Sequence, residues 1–182
     1  HIEGHISANY IEHPELEPPF LCLVASGGHT HLVCVKDYGK YEILGRTRDD
    51  AAGEAYDKVA RLIGLPYPGG PKLDKLAQIG NPHAFKLPEA KVGGYDFSFS
   101  GLKTAVLRLV KSFDGKEMPV NDICASFQEC VSSTLFKKVK HALEETGYKQ
   151  VVLAGGVAAN SEIRKKIFSL KEEGYDVYAP IM

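Results

Sequence analysis

The sequence has no tryptophan, only two methionines, and no Cys-x-x-Cys pair among its four cysteines. The missing pair removes the zinc-ribbon and thioredoxin-like patterns. No apolar run approaches the ~20 residues that a bilayer-spanning helix needs, so no membrane partner is expected. The chain starts at His1 rather than Met, nothing there resembles a signal peptide, and it is read as a piece of a longer protein. An excess of charge is missing too: 22 Lys and Arg stand against 23 Asp and Glu, a formal net charge of -1. That balance argues against holding nucleic acid by bulk electrostatics and leaves a local basic face as the route. Walker A and GxGxxG patterns are absent, which sets aside the P-loop and Rossmann classes. Internal repeats and low-complexity tracts are absent as well.

What is present is ordinary for a globular chain. Of 182 residues, 44% are hydrophobic and 25% charged, enough for one large domain or two small lobes with a core. Cys22 and Cys34 fall in strand-like runs, LCLVA and LVCVK, and with Cys124 and Cys130 read as reduced, buried thiols. That cysteine usage suits a cytoplasmic location.

The periodicity predicts an α/β chain. Residues 1–12 read as a helix with Ile2, Ile6 and Tyr10 on one stripe. FLCLVASGG reads as a buried strand entering a tight turn, and the segment through Arg46 as a meander of three strands. DDAAGEAYDKVARLIG predicts a helix with Asp49 and Asp50 at its positive end, a stripe of Ala52, Ala55, Val59 and Leu62, and Gly64 closing it. Pro68–Pro71 reads as a rigid turn before a further helix, and 80–95 as loop. FSFSGLKTAVLRLVKSF reads as a short strand and a helix from about Leu102, and 120–146 as helical. The remainder reads as strand, Gly-Gly turn, helix and strand.

Two glycine pairs each follow an apolar strand directly: Ser26-Gly27-Gly28-His29 and Ala154-Gly155-Gly156-Val157. Such a pair serves equally to turn the chain or to admit a phosphate to backbone N–H groups, and their co-occurrence favours the second use. Asp57 could accept from ribose hydroxyls, but its helix position alone favours a solvated face with an Asp57–Arg61 pair. Asn160 either binds a ligand or supports the start of the following helix. Ser98, Ser100 and Lys103 read as closing a strand end and capping a helix, and no Ser-His-Asp set is legible. His13, His31, His83 and His141 read as surface or internally satisfied. His1 and His5, four apart on a helix, share one face and suit two ligands of one divalent metal, with at least one more ligand needed from elsewhere. The acidic residue of HIEGH is Glu3, roughly 100° around the helix from its place in H-E-x-x-H, so a zinc metalloprotease is disfavoured.

With HIEGH, ASGGHTHL, DDAAGEAYDKVARLIGLPYPGGP, FSFSGLKTA and LAGGVAAN in one order and spacing, the chain resembles the TsaD/Gcp family of tRNA-modifying threonylcarbamoyltransferases along nearly its whole length. The resemblance implies an actin-like, Hsp70-like (ASKHA) two-lobed fold, with 1–19 the end of the first lobe and 20–182 most of the second. It implies transfer of threonylcarbamoyl from threonylcarbamoyl-AMP to N6 of adenosine 37 in tRNAs reading ANN codons. His1 and His5 would be metal ligands, for iron or zinc. Val24, Ala25, Ser26, Gly27, Gly28, Asp57, Gly70, Asp74 and Asn160 would be adenylate contacts. The implied partners are tRNA with a small actin-like paralogue and a P-loop ATPase, or with a kinase-containing complex. Relatives carry about a hundred residues before HIEGH and a later aspartate that completes the metal site, so the 182 residues alone are expected to be inactive. An O-carbamoyltransferase on the same scaffold and a non-catalytic actin-like partner are the rival readings. The retained histidine pair speaks against the second.

Overall fold

A computed structural model of the chain describes residues 2–181; the candidate metal ligand His1 lies outside the described residues. Five strands form one sheet in the order β3-β2-β1-β4-β5. In sequence these are β1 (Phe20–Ala25), β2 (Thr30–Asp37), β3 (Lys40–Arg46), β4 (Gln150–Ala154) and β5 (Asp176–Tyr178). The helices are α1 (Ile2–Glu12), α2 (Ala52–Leu62), α3 (Gly69–Ala77), α4 (Ser100–Lys111), α5 (Val120–Thr146) and α6 (Ser161–Phe168). Short 3-10 turns at Gly156–Ala159 and Ser169–Glu173 flank α6.

β1 is the middle strand, antiparallel to β2 and parallel to β4, and all six of its residues are buried. A strand covered on both faces must be apolar throughout, which is why FLCLVA has no alternation. Its side chains divide between two cores. Leu21 and Leu23 join Leu32, Val151, Leu153 and the inner faces of α2 to α6. Phe20, Cys22 and Val24 join Val33, Val35, Val152 and Ile6 of α1 on the opposite face. α1 is tied down there at its C-terminal end: His13 Nε2 lies 2.7 Å from the Ala179 carbonyl, and Ile181 N–H donates to Glu12 at 2.8 Å. All four cysteines are free and buried, and burial pushes the thiols of Cys22, Cys124 and Cys130 up to about 12.

Four local expectations need correction. The stretch Gly69-Gly70-Pro71 is the first turn of α3 rather than a turn ahead of it. Pro71 is tolerated because N–H groups in a first helical turn have no intrahelical acceptor to lose. The buried stripe of α2 comprises Ala52, Ala55, Tyr56, Val59 and Ala60, while Leu62 is half-buried. FSFS contributes one isolated bridge, Thr47 to Phe97, rather than a strand.

Asp49 is the fourth. It does not serve α2, whose first free N–H, on Ala52, donates to the buried Thr30 hydroxyl at 2.9 Å. The Asp49 carboxylate instead accepts from the N–H groups of Phe99 (2.8 Å) and Ser100 (3.3 Å) and from the hydroxyls of Ser98 and Ser100. It thus caps α4 from 50 residues away in the chain, and α4 starts at Ser100 instead of Leu102. Partial burial raises the Asp49 pKa, but these hydrogen bonds outweigh it and hold the carboxyl below its ordinary value. A depressed acid stabilises the fold fully above the ordinary Asp range near ~3.9 and loses that contribution as pH falls through the lower folded value. Solvent screening at this exposed position keeps the contribution small. Urea unfolding of Asp49→Asn should therefore show a loss of ~1 kcal/mol at pH 7 that shrinks toward zero below about pH 3. A loss independent of pH would contradict the capping role.

Candidate nucleotide site

Because β1 and β4 run parallel, with Val24 opposite Ala154, the two glycine turns leave the sheet side by side at its carboxyl edge. That edge is where open α/β sheets receive ligands. The two ends approach closely. Gly155 has φ +92°, and a Cβ on it would lie 2.2 Å from the Ala25 carbonyl oxygen. In the first turn Ser26 N–H donates to the His29 carbonyl (2.8 Å) and His29 N–H returns to Ser26 Oγ (3.1 Å). The N–H groups of Gly27 and Gly28 are left without an acceptor among the described residues, an arrangement suited to an anion.

α2 is pressed against this turn. Gly53 N–H donates to the Ser26 carbonyl at 3.2 Å, and a Cβ on Gly53 would sit 2.6 Å from that oxygen. The same helix then presents Tyr56 and Asp57 to a cavity of about 280 Å³, near the lower end for small-molecule sites. Gly27 contributes from the turn, Gly70, Pro71 and Asp74 from α3, and Gly156, Val157, Ala159 and Asn160 from the connection between β4 and α6.

Five of the nine expected adenylate contacts therefore meet at one cavity, Gly27, Asp57, Gly70, Asp74 and Asn160, together with Gly156 and Val157 of the second glycine turn. Ser26 and Gly28 adjoin Gly27 in the turn. Val24 and Ala25 are buried in β1, and the Val24 side chain belongs to the core on the α1 face, so only its main chain is available to a ligand. His5 is half-buried on α1, across the sheet from α2 and α3. Among the described residues no group of three or more His, Cys, Asp or Glu side chains could hold a metal ion. His5 supplies one suitable donor; a metal there needs His1 and at least one further ligand from outside the described residues.

Asp57 does not pair with Arg61. The ion pairs of α2 run from Lys58 to Asp50 (2.9 Å) and Glu54 (3.4 Å), and the Asp57 carboxylate has no partner among the described residues. It stands ready to accept from a ligand. Asn160 supports the following helix, its Oδ1 accepting from the N–H groups of Glu162 (3.1 Å) and Ile163 (3.0 Å) to cap α6, and it also lines the cavity. Asp74 accepts from Ser161 N–H at 2.9 Å and from the Ser161 hydroxyl, again holding the head of α6.

Tyr56 of this wall and Gln128 behind it escaped the sequence reading. Gln128, 2% exposed on α5, takes the Tyr56 hydroxyl (2.9 Å) and Asn160 Nδ2 (2.8 Å) on its Oε1 and donates from Nε2 to Asp74 (3.0 Å). Burial, reinforced by the Asp74 charge, holds the Tyr56 hydroxyl well above its ordinary pKa, so it remains a neutral donor. The available signal was a glutamine set among Cys124, Phe127 and Val131 on a buried helical stripe.

A five-stranded sheet of this order, helices packed on both faces and a cavity at the parallel strand ends make an α/β fold of ASKHA-like architecture. A crystal structure of full-length HypF in a phosphate- and nucleotide-bound form superposes with a TM-score of 0.76 at 16% identity, over 98% of this chain and 32% of that one. Component A of (R)-2-hydroxyglutaryl-CoA dehydratase from Acidaminococcus fermentans superposes with a TM-score of 0.58 at 16% identity, over 98% of this chain and 61% of that one. At those identities the likeness concerns fold alone. The family is defined by sequence: residues 1–182 match TsaD, tRNA N6-adenosine threonylcarbamoyltransferase, and the chain belongs to that family. The relative of that name in Clostridioides difficile is 55% identical over 100% of this chain and 56% of its own length. The one in Gloeobacter violaceus is 58% identical over 92% of this chain and 50% of its own. The chain thus spans about half the length of the curated relatives it matches.

The close approach of the two turns makes Gly155 sensitive. Gly155→Ala places a methyl group against the Ala25 carbonyl at a positive φ and should lower unfolding free energy by at least ~2 kcal/mol. An unchanged urea midpoint would show that the strand ends are not packed this tightly.

Proposed function

We propose that the intact protein transfers the threonylcarbamoyl group of threonylcarbamoyl-AMP to N6 of adenosine 37 in tRNAs reading ANN codons. The observation that carries the reading is the cavity at the ends of β1 and β4, with free N–H groups on one side and an unpaired carboxylate on another. The N–H groups of Gly27 and Gly28 hold the adenylate phosphate. Asp57 accepts from the ribose hydroxyls, and Gly70, with only the Asp57 carboxylate and the Tyr56 Cβ within 4 Å of a Cβ placed on it, keeps space open beside that carboxylate. Asp74 and Asn160 act through the wall they support. The adenosine amine forms a C–N bond to the carbamoyl carbon, the C–O bond to phosphate breaks, the amine gives up a proton, and AMP leaves.

In this reading residues 1–19 close the first lobe of an actin-like protein and 20–182 make most of the second. His1 and His5 bind an iron or zinc ion with ligands from outside the described residues. Such an ion, when bound, supplies Lewis-acid polarisation of a carbonyl. The partners are tRNA with a small actin-like paralogue and a P-loop ATPase, or with a kinase-containing complex. The reaction is cytoplasmic, and among the described residues no helix is long and apolar enough to cross a membrane.

The test is a transfer assay on the intact protein with those partners, threonylcarbamoyl-AMP and unmodified tRNA. Modified nucleoside should form with the parent and disappear, together with bound metal, in a His1→Ala/His5→Ala double variant. Absence of product from the parent would overturn the reading. Asp57→Ala should weaken AMP binding by ~10- to 100-fold while leaving the melting temperature unchanged, since the carboxylate serves no internal contact.

A further inference from the structure

The Gln128 carboxamide lies where four elements converge, and its two ends face opposite demands. One end meets two donors, the Tyr56 hydroxyl of α2 at 2.9 Å and Asn160 Nδ2 ahead of α6 at 2.8 Å. The other meets an acceptor, Asp74 Oδ1 of α3, at 3.0 Å. Only an amide with its oxygen toward the donors and its nitrogen toward the carboxylate satisfies all three. Tyr56, Asp74 and Asn160 all line the cavity, whereas Gln128 lies behind them and is 2% exposed.

We infer that Gln128 is the positioning residue of the cavity wall, fixing Tyr56, Asp74 and Asn160 at the spacing a bound nucleotide requires while touching no ligand itself. This rests on the reading of the cavity as a nucleotide site. The physical basis is burial: a polar group out of water is held strongly by its bonds and costs much when one is lost, so a satisfied network has one arrangement and a broken one has several. Loss of the amide leaves the Tyr56 hydroxyl without its acceptor. Asp74 keeps Ser161 and Gln78, and Asn160 keeps its cap on α6, but the bonds that fix the three relative to one another are gone.

Substitution by glutamate separates positioning from packing. Gln128→Glu keeps shape and volume and retains the acceptor toward Tyr56 and Asn160, but sets a carboxyl oxygen about 3 Å from Asp74. Two carboxylates at that distance ionise together only at a high cost, so the pair gives up its last proton at a pH well above the usual carboxylate range. With the proton, the introduced carboxyl donates to Asp74 as the amide does; without it, the two repel. Among the described residues, Asp74 of α3 and the neutral Tyr56 hydroxyl of α2 meet this point directly, and Asp57 of α2 lines the same cavity. Glu129, Glu162 and Lys165 lie on the far side of Gln128, with Lys166 engaging both Glu129 and Glu162 at 2.8 Å.

AMP is the probe, titrated into intact parent, Gln128→Glu and Gln128→Leu proteins at pH 5.5 and pH 8, each affinity expressed relative to the parent at the same pH and per folded molecule by circular dichroism. Gln128→Glu should bind like the parent at pH 5.5 and ~10-fold or more weakly at pH 8, while Gln128→Leu should be weak at both. A purely structural role lowers the melting temperature of the variants without this pH-dependent rescue of affinity. A Gln128→Glu affinity that does not vary with pH relative to the parent, or a Gln128→Leu affinity equal to the parent's, overturns the positioning role. Failure of the parent itself to bind AMP overturns the nucleotide reading, and the inference with it.

Discussion

A buried amide that must point one way organises this molecule. Gln128 sits on the 27-residue α5, the longest element, and its three hydrogen bonds reach α2, α3 and the head of α6. Hydrophobic packing fills the space between these helices, but apolar contacts set no direction for polar groups. The amide supplies that direction, drawing a hydroxyl, a carboxylate and a carboxamide to one small volume behind the cavity.

The second constraint is the parallel pairing of β1 and β4. The 124 residues between Ala25 and Gln150 supply a hairpin and four helices before the chain returns to pair beside β1. Those helices bury the Leu21, Leu23, Val151 and Leu153 face, so the crossover that parallel pairing demands also builds the larger core. Both strands end in glycine turns at one edge for the same reason. The geometry of the site is thus inherited from strand direction, and the side chains refine it.

Much of this was legible in the residues. The strand–glycine pairs, the meander, the α5 boundaries and the ends of the β4–α6–β5 segment follow from local signals: apolar runs, turn glycines and helical spacing. What was illegible involves partners distant in sequence. Asp49 stands at the apparent start of α2 by every local rule, yet its four acceptor contacts lie 49 to 51 residues further on. Gln128 reads as one polar residue in an amphipathic helix until Tyr56, Asp74 and Asn160 are brought around it. Asp57 presents the opposite case: a plausible salt bridge four residues away is not made, and Asp57 lines the cavity while Lys58 pairs with Asp50 and Glu54. Local patterning determines where elements begin and end, while side-chain partnerships depend on which elements meet.

The head of α2 carries a mechanical consequence. Its N–H groups at Ala52 and Gly53 are held by Thr30 and by the Ser26 carbonyl, so the helix is bolted to the hairpin turn instead of floating beside it. Eleven residues of helix make a rod of ~16 Å, stiff over that length. Gly27 and Gly28 stand at one end of that rod, and Tyr56 and Asp57 ride on it. The glycine turn and the cavity wall that carries Tyr56 and Asp57 are therefore tied together through two hydrogen bonds at the head of a single helix.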